Sequence, residues 1–122
     1  MLYPGAVLDE IGAKTMDNIS ESINIIKESV LNNVSARYIY LFGSHAYGNP
    51  TDKSDIDIYT VIPDNINSVS EIYSRIMFDL SKKKLFFVDL LLSRESVFNK
   101  RKSENILEET VYQKGKVIYE NK

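Results

Sequence analysis

Two short groups of residues near the middle of the chain have the types and spacing needed to bind phosphate and divalent cations. Gly43 and Ser44 follow an apolar run, and Asp55 and Asp57 come after ten further residues. A glycine lets the backbone approach a phosphate closely. Two acids at positions i and i+2 of a strand share a face, with Cα atoms about 6.5 Å apart, so their oxygens can converge on a cation. The pattern therefore predicts a phosphate-binding turn followed by a carboxylate pair.

A third acid, Asp89, interrupts the apolar run from Leu85 to Leu92. An ionised carboxylate buried in such a run is costly unless cations or hydrogen bonds compensate it. We predict that Asp89 is buried and joins Asp55 and Asp57 in one site, whose hard oxygen ligands suit magnesium or manganese better than zinc. The alternative is that Asp89 caps a loop at a strand end, while the other two acids are ordinary turn and solvent-facing residues.

The elements that position these residues can be read from hydrophobic periodicity. Residues 1–15 contain Pro4, Gly5 and Gly12 without sustained periodicity, which predicts an irregular N-terminal arm. Apolar residues at helical spacing predict a helix over residues 17–33, and Asn18 followed by Glu21 resembles an N-terminal cap.

The site itself is expected on two strands and the segment between them. We predict strands over residues 37–42 and 55–61, joined by a turn-rich loop from His45 to Ser54. The later elements are predicted as a helix capped by Ser68 and Glu71 that runs to about Lys82, a strand over 85–92 covered on both faces, helical structure over 93–113, and a final strand at 117–119. This order predicts one α/β (α+β) domain over residues 1–122, a small mixed sheet flanked by helices.

Composition excludes several classes of function. The chain has 122 residues, no cysteine and a net charge of −2. Thiolate metal sites and cysteine nucleophiles are therefore excluded, and a cytoplasmic location is expected. No apolar run reaches the roughly 20 residues that span a bilayer. The negative charge argues against extensive nucleic-acid binding.

The segments Leu41-Phe42-Gly43-Ser44-His45-Ala46-Tyr47-Gly48 and Ser54-Asp55-Ile56-Asp57-Ile58 together resemble the signature of the minimal nucleotidyltransferases of the DNA polymerase beta superfamily. The resemblance implies that Gly43 and Ser44 hold a nucleoside triphosphate such as ATP. It also implies that Asp55 and Asp57 bind two divalent ions, Mg²⁺ or Mn²⁺. Asp89 would share one ion and help to deprotonate the acceptor.

The loop completes the predicted nucleotide-binding set with Lys53 and Ser54, which lie beside the acids in the sequence. The sequence departs from the resemblance at His45 and Tyr47, where members of this superfamily often carry arginine. A lone loop histidine is more often a surface residue than a catalytic one. The basic runs at 82–84 and 100–102 are read as solvated helix ends.

These observations favour a metal-dependent nucleotidyltransferase that moves a nucleoside monophosphate, AMP from ATP, onto a hydroxyl acceptor. The resemblance implies that the acceptor is a small helical partner, a HEPN toxin, and that this chain is the antitoxin. Two alternatives stay open. One is a non-catalytic subunit that masks its partner, and the other is a small-molecule nucleotidyltransferase of the aminoglycoside type. Self-association into a homo-oligomer also stays open.

Overall fold

The fold is a mixed four-stranded sheet with helices on both faces, seen in a computed structural model that describes residues 16–121, with side chains from residue 19 onward. The elements, in chain order, are α1 (Met16–Asn33), β1 (Tyr38–Phe42), α2 (Ser44–Tyr47), β2 (Ile56–Ile62), α3 (Val69–Lys82), β3 (Val88–Arg94), α4 (Glu95–Arg101), α5 (Ile106–Lys114) and β4 (Lys116–Glu120). The strand order is β3-β2-β1-β4. β1 is antiparallel to β2 and β4, whereas β2 and β3 are parallel. The α/β fold class predicted from the sequence is confirmed.

The two faces of the sheet carry different cores because side chains alternate along each strand. On one face, aliphatic residues such as Ile39, Ile58 and Leu90 pack with α1 and α3. On the other face, Tyr40 and Tyr59 pack with Phe98 of α4, among other residues. The tyrosine and phenylalanine rings there meet in tilted or edge-on pairs with centroids 5.3–6.4 Å apart. The acids at positions 57 and 89 belong to this aromatic face, since they alternate with the aliphatic positions.

A partly buried polar contact ties α1 to α3. Asn33 donates from Nδ2 to the Ser29 carbonyl at 2.7 Å and to Asp79 Oδ2 at 2.9 Å. Lys83 donates from Nζ to Ser29 Oγ at 3.0 Å. Ser29 is fully buried, so these bonds satisfy polar groups that would otherwise be costly. The contact holds the two helices in register over the aliphatic face.

Two local predictions in the first half of the chain are wrong. The first helix begins at Met16, so Asn18 lies inside it and is not its cap, since neither Met16 nor Asp17 interrupts a helix. The predicted loop from His45 to Ser54 opens with the short helix α2. The predicted arm at residues 1–15 lies outside the described residues.

The prediction that the third strand is covered on both faces, with Asp89 buried, is also wrong. The strand runs from Val88 to Arg94 and lies at an edge of the sheet. Phe86 and Phe87 are 66% and 53% exposed, and Asp89 is exposed. The apolar run was misleading because part of it, Leu85 to Phe87, belongs to the connection from α3 rather than to the strand.

Other sequence predictions are confirmed. Ser68 Oγ accepts a hydrogen bond from the Glu71 amide at 3.2 Å and caps α3 as expected. The predicted helical segment over 93–113 forms α4 and α5. Within the described part of the chain, no helix has the length and apolar character required for a membrane span.

Candidate functional site

The acids predicted from the sequence meet at one end of the sheet, where β1 ends and β2 and β3 begin. Asp57 pairs in register with Asp89 on β3 and with Phe42 on β1. Asp55 stands just before β2 rather than within it, and its side chain is exposed. Neighbouring strands lie about 4.8 Å apart, so the paired carboxylates of Asp57 and Asp89 are close neighbours on one face. The site is therefore open on the β3 side and half-buried at Asp57.

Position 43 requires a glycine for two reasons, the backbone conformation there and the closeness of the Asp57 side chain. Its φ of 72° and ψ of −156° lie in a region that is essentially restricted to glycine. A Cβ atom built on Gly43 would overlap Asp57 Oδ2 and lie 2.9 Å from Asp57 Cγ. The backbone of Gly43 and the carboxylate of Asp57 thus share one small space, whereas the approach of this backbone to a phosphate stays a prediction.

Ser44 opens the turn after Gly43 and is partly buried. The amides of Ala46 and Tyr47 both donate to the Gly43 carbonyl, at 3.0 and 3.1 Å. These bonds hold α2 as a single tight turn directly after β1. Ser44 is thereby fixed at the first position of α2, directly after the Gly43 backbone that adjoins Asp57.

The electrostatics of the site centre on Asp57. Partial burial raises the pKa of Asp57, and the negative charges of Asp89 and Asp55 raise it further. A hydrogen bond between the Asp57 and Asp89 carboxyl groups acts in the same direction, whereas His45 lowers the pKa of Asp57. The cluster is therefore short of positive charge, as expected for a site that receives a cation.

The loop between α2 and β2 is held by its own hydroxyl groups. The Thr51 amide donates to Ser54 Oγ at 2.9 Å, and the Ser54 amide donates to the Thr51 carbonyl at 3.1 Å. His45 Nε2 lies 3.3 Å from the Ser54 carbonyl, which connects this loop to α2. Lys53 is exposed at the tip of the turn, where its amide donates to Thr51 Oγ1 at 3.2 Å. The structure thus shows Ser54 shaping the loop that leads to the acids, while nucleotide contacts by Lys53 and Ser54 stay a prediction.

Sequence reasoning missed a buried contact that anchors β2, the strand that carries Asp57. Tyr59, two residues after Asp57, donates its hydroxyl to Glu108 Oε2 of α5 at 2.9 Å. Glu108 is only 4% exposed and lies 3.8 Å from the Arg101 guanidinium. The two bonded residues are 49 positions apart in the chain, so no local pattern indicates their pairing. Thr51 was also missed, although its three-residue spacing from Ser54 is a recognisable turn signal.

The chemistry of the carboxylate cluster fits a divalent cation, although its ligand set is incomplete. Among the side chains described, no three acidic, histidine or cysteine groups converge as a ready-made set for one ion. The oxygen donors of Asp55, Asp57 and Asp89 are of the type that magnesium and manganese prefer. An added cation would also relieve the repulsion that raises the pKa of Asp57. Their role as metal ligands therefore stays a prediction that the donor chemistry supports.

A separate groove of about 900 Å³ lies at the opposite end of the sheet. Its lining includes Arg37, which precedes β1, and Asp64 and Asn121, which follow β2 and β4. The Arg37 guanidinium lies 3.5 Å from Glu95 across this groove. Because the acids occupy the other end of the strands, this groove is not part of their site.

Comparison with known protein families identifies the family to which this chain belongs. The family model described as "Polymerase beta, Nucleotidyltransferase" matches residues 24–122, which include Gly43 and all three acids. The chain belongs to this family. As a member of the polymerase beta nucleotidyltransferase family, the protein is an enzyme of nucleoside monophosphate transfer, in agreement with the sequence prediction.

Two relatives come from Methanocaldococcus jannaschii, and both are named as protein adenylyltransferases. One is 30% identical over 99 residues, which cover 81% of this chain and 98% of the relative. The other is 30% identical over 105 residues, which cover 83% of this chain and 94% of the relative. The resemblance to this family therefore extends over nearly the full length of both relatives.

Two solved structures have the same fold. A mutant MntA–HpeT toxin–antitoxin structure matches with a TM-score of 0.58 and 23% identity, over 81% of this chain and 73% of that chain. A structure of the tri-AMPylated HEPN toxin of Shewanella oneidensis in complex with its MNT antitoxin matches with a TM-score of 0.55 and 22% identity, over 84% of this chain and 72% of that chain. At identities of 22–23%, the likeness to these two structures shows the fold of this polymerase beta nucleotidyltransferase.

Proposed function

We propose that this nucleotidyltransferase moves AMP from ATP onto a hydroxyl group of a partner protein, and that the partner is a helical HEPN-type toxin. The observation that carries the proposal is the meeting of Asp57 with Asp89 in register, directly beside Gly43. Nucleotidyl transfer requires a binding place for a triphosphate next to carboxylates that bind cations and accept a proton. These three residues provide both requirements within one end of the sheet.

The residues on the β1 side would bind the triphosphate. Gly43 lacks a side chain, so its backbone can approach a phosphate oxygen, and the Ser44 hydroxyl can donate a hydrogen bond to it. Lys53, exposed in the neighbouring loop, would supply a positive charge, and Ser54 would keep the loop in place. Their combined effect is to hold the α-phosphorus beside Asp57.

The residues on the β2 and β3 side would activate the acceptor hydroxyl. The acceptor oxygen attacks the α-phosphorus in line, a new oxygen–phosphorus bond forms, and the bond to the bridging oxygen of pyrophosphate breaks. The proton of the acceptor hydroxyl passes to Asp89, which is exposed at the edge strand and accessible to an incoming hydroxyl. Asp55, Asp57 and Asp89 would hold two Mg²⁺ or Mn²⁺ ions, whose charge would stabilise the triphosphate and activate the acceptor oxygen.

The choice of a protein acceptor is supported by the relatives. Both archaeal relatives are named for adenylyl transfer to protein, and the match covers almost all of their length. A structural neighbour of the same fold is an antitoxin in complex with a toxin that carries AMP. These comparisons support an antitoxin that acts by AMP transfer.

The test is to incubate the protein with its cognate HEPN-type partner, ATP and magnesium, and to measure the intact mass of the partner. We expect the partner to gain one or more AMP groups with the native chain and none with Asp57→Asn. Asp52→Asn is the matched control, because Asp52 is an exposed loop acid close to the site in sequence, and it should leave transfer intact. An unchanged partner mass with active, folded protein would refute the proposed transfer.

A second candidate is an antitoxin that neutralises its partner by masking alone. His45 favours this candidate, because it stands where related enzymes often carry arginine and its ring is directed at the Ser54 carbonyl within the loop. The variant with alanine at Asp55, Asp57 and Asp89 separates the two candidates. Loss of neutralisation would support transfer, whereas full neutralisation of the partner would support masking.

A further inference from the structure

The two edges of the sheet differ in how well they resist pairing with another strand. β4 has five residues, its register with β1 shifts at one point, and its end residues, Lys116 and Glu120, are charged and exposed. Short length, a break in register and exposed charges all protect an edge strand from further pairing. β3 has seven residues, pairs with β2 without a shift, and contains neither lysine nor proline. The edge at β3 is therefore the one open to a further strand.

The outer side of β3 presents main-chain groups that no described strand uses. The Ile56 amide donates to the Phe87 carbonyl at 2.8 Å, so the main chain at Phe87 faces β2. Main-chain groups point to alternate sides along a strand, which directs the N–H and C=O groups of Val88, Leu90 and Leu92 away from β2. Among the described residues, β2 is the only strand that pairs with β3. These alternate positions form an open template for another strand.

The side chains of β3 are complementary to a second copy of the same strand. Leu91 packs on the aromatic face of the sheet, whereas Leu90 and Leu92 pack on the aliphatic face. If two copies of β3 run antiparallel about a two-fold axis at Leu91, all seven residues pair and each face continues into the same face of the copy. Leu91 then meets its counterpart, Leu90 meets Leu92, and Asp89 lies opposite Ser93. Apolar residues therefore pair at the centre, and no like charges meet.

We propose that β3 pairs antiparallel with β3 of a second copy of this chain, which joins the two four-stranded sheets into one. This inference does not depend on AMP transfer. The contact uses the same surface on both copies, so the assembly closes as a dimer. Because strands pair in the plane of the sheet, the face that carries Asp57 and Asp89 stays open. Ser93 of the second copy lies opposite Asp89, so each site borders the other chain.

A cysteine placed at the axis tests the pairing directly, because the native chain contains no cysteine. The main chain of Leu91 faces β2, so Leu91 and its counterpart form a pair without mutual hydrogen bonds, with Cα atoms about 4.5 Å apart. That separation suits a disulfide. We expect the full chain with Leu91→Cys to form a disulfide-linked dimer in oxidised glutathione, measured on non-reducing gels.

Two other single cysteines are the matched controls for this cross-link. Ser93→Cys lies on the same strand, but its counterpart would be about 13 Å away, four residues along the strand. Val117→Cys lies on the opposite edge strand, β4, where Val117 is 50% exposed. We expect Leu91→Cys to cross-link at least tenfold faster than either control.

Sedimentation equilibrium measures the association without any cross-link. We expect the native full chain to sediment at micromolar concentration with twice the mass of one chain. Val88→Pro removes an outward N–H at the first residue of β3, a position where proline is tolerated, and should weaken dimerisation at least tenfold. Val88→Ala keeps this N–H and should dimerise like the native chain. Circular dichroism checks that both variants are folded.

Several outcomes would overturn the proposal. A native chain that stays monomeric at micromolar concentration would exclude the dimer. Cross-linking of Val117→Cys as fast as that of Leu91→Cys would assign association to the other edge, and equal cross-linking of Ser93→Cys would exclude an axis at Leu91. Equal dimerisation of folded Val88→Pro and Val88→Ala would show that the edge amide is not used. If Val88→Pro fails to fold, the cysteine comparison decides. None of these measurements uses a nucleotide or an acceptor, so their results are independent of the proposed transfer.

Discussion

Replacement of Gly43 by alanine tests the central feature of the site. Only a glycine fits both the backbone conformation at this position and the space beside the Asp57 carboxylate. Its φ of 72° and ψ of −156° lie in the region restricted to glycine, where another residue costs about 1–3 kcal/mol. The added Cβ would overlap Asp57 Oδ2, and forcing an extra carbon into a packed place costs a further 1–3 kcal/mol or so. We therefore expect Gly43→Ala to lower the free energy of unfolding by about 2–6 kcal/mol.

Urea denaturation of the metal-free protein measures this change directly, and a double-mutant cycle separates its two parts. In an Asp57→Ala background the carboxylate is absent, so only the backbone cost of about 1–3 kcal/mol should remain for Gly43→Ala. In an Asp57→Asn background the shape of the side chain is kept, and the full cost should return. AMP transfer should be lost in Gly43→Ala even at temperatures where the variant is folded, because Asp57 has to move.

Two results would refute this reasoning. A destabilisation below about 1 kcal/mol would mean that position 43 does not adopt the glycine-only conformation. An equal cost in the native and Asp57→Ala backgrounds would mean that the carboxylate does not occupy the space beside the glycine.

Three further predictions concern charge and burial. Asp57→Asn should raise the unfolding temperature of the metal-free protein at neutral pH, because a raised pKa means that the folded state disfavours the charge of Asp57. The gain should shrink as pH falls through the raised pKa of Asp57 and be absent below its unfolded value of about 4. A lower unfolding temperature of Asp57→Asn at pH 7 would contradict this reasoning. Glu108→Ala should destabilise the fold by about 1–3 kcal/mol more than Glu108→Gln in urea denaturation. The reason is that the glutamine side-chain oxygen can still accept the hydrogen bond from the Tyr59 hydroxyl, whereas alanine cannot. Equal losses of stability in the two variants would show that this bond is unimportant. Burial raises the pKa of Tyr40 and of Tyr59 to about 12. The folded state therefore keeps protons that the unfolded state releases, and the free energy of unfolding should fall between about pH 10 and pH 12, by about 3 kcal/mol for each tyrosine. Tyr40→Phe should remove about half of that fall, and an unchanged pH profile would argue against a buried hydroxyl.

Much of the local structure could be predicted because it depends on neighbouring residues. Ser68 and Glu71 are three positions apart, and their cap needs nothing beyond that spacing. The Gly43 turn was predictable for the same reason, since a strand followed by glycine and serine is a local pattern. The prediction that failed for Asp89 treated an apolar run as a strand covered on both faces. Only the sheet order shows that β3 lies at an edge, where the carboxylate stays exposed.

The sequence by itself determined the residue types of the site, the family of the protein and the order of its strands and helices in the chain. Each of these depends on residue identity and short spacing, which a linear pattern contains. Tertiary structure decided that Asp57 stands in register with Asp89. It also decided that Tyr59 is bonded to Glu108 across 49 positions and that Asp89 is exposed at an edge of the sheet. These relations depend on pairing between distant segments, and that pairing is selected by the burial of the whole sheet rather than by any one segment.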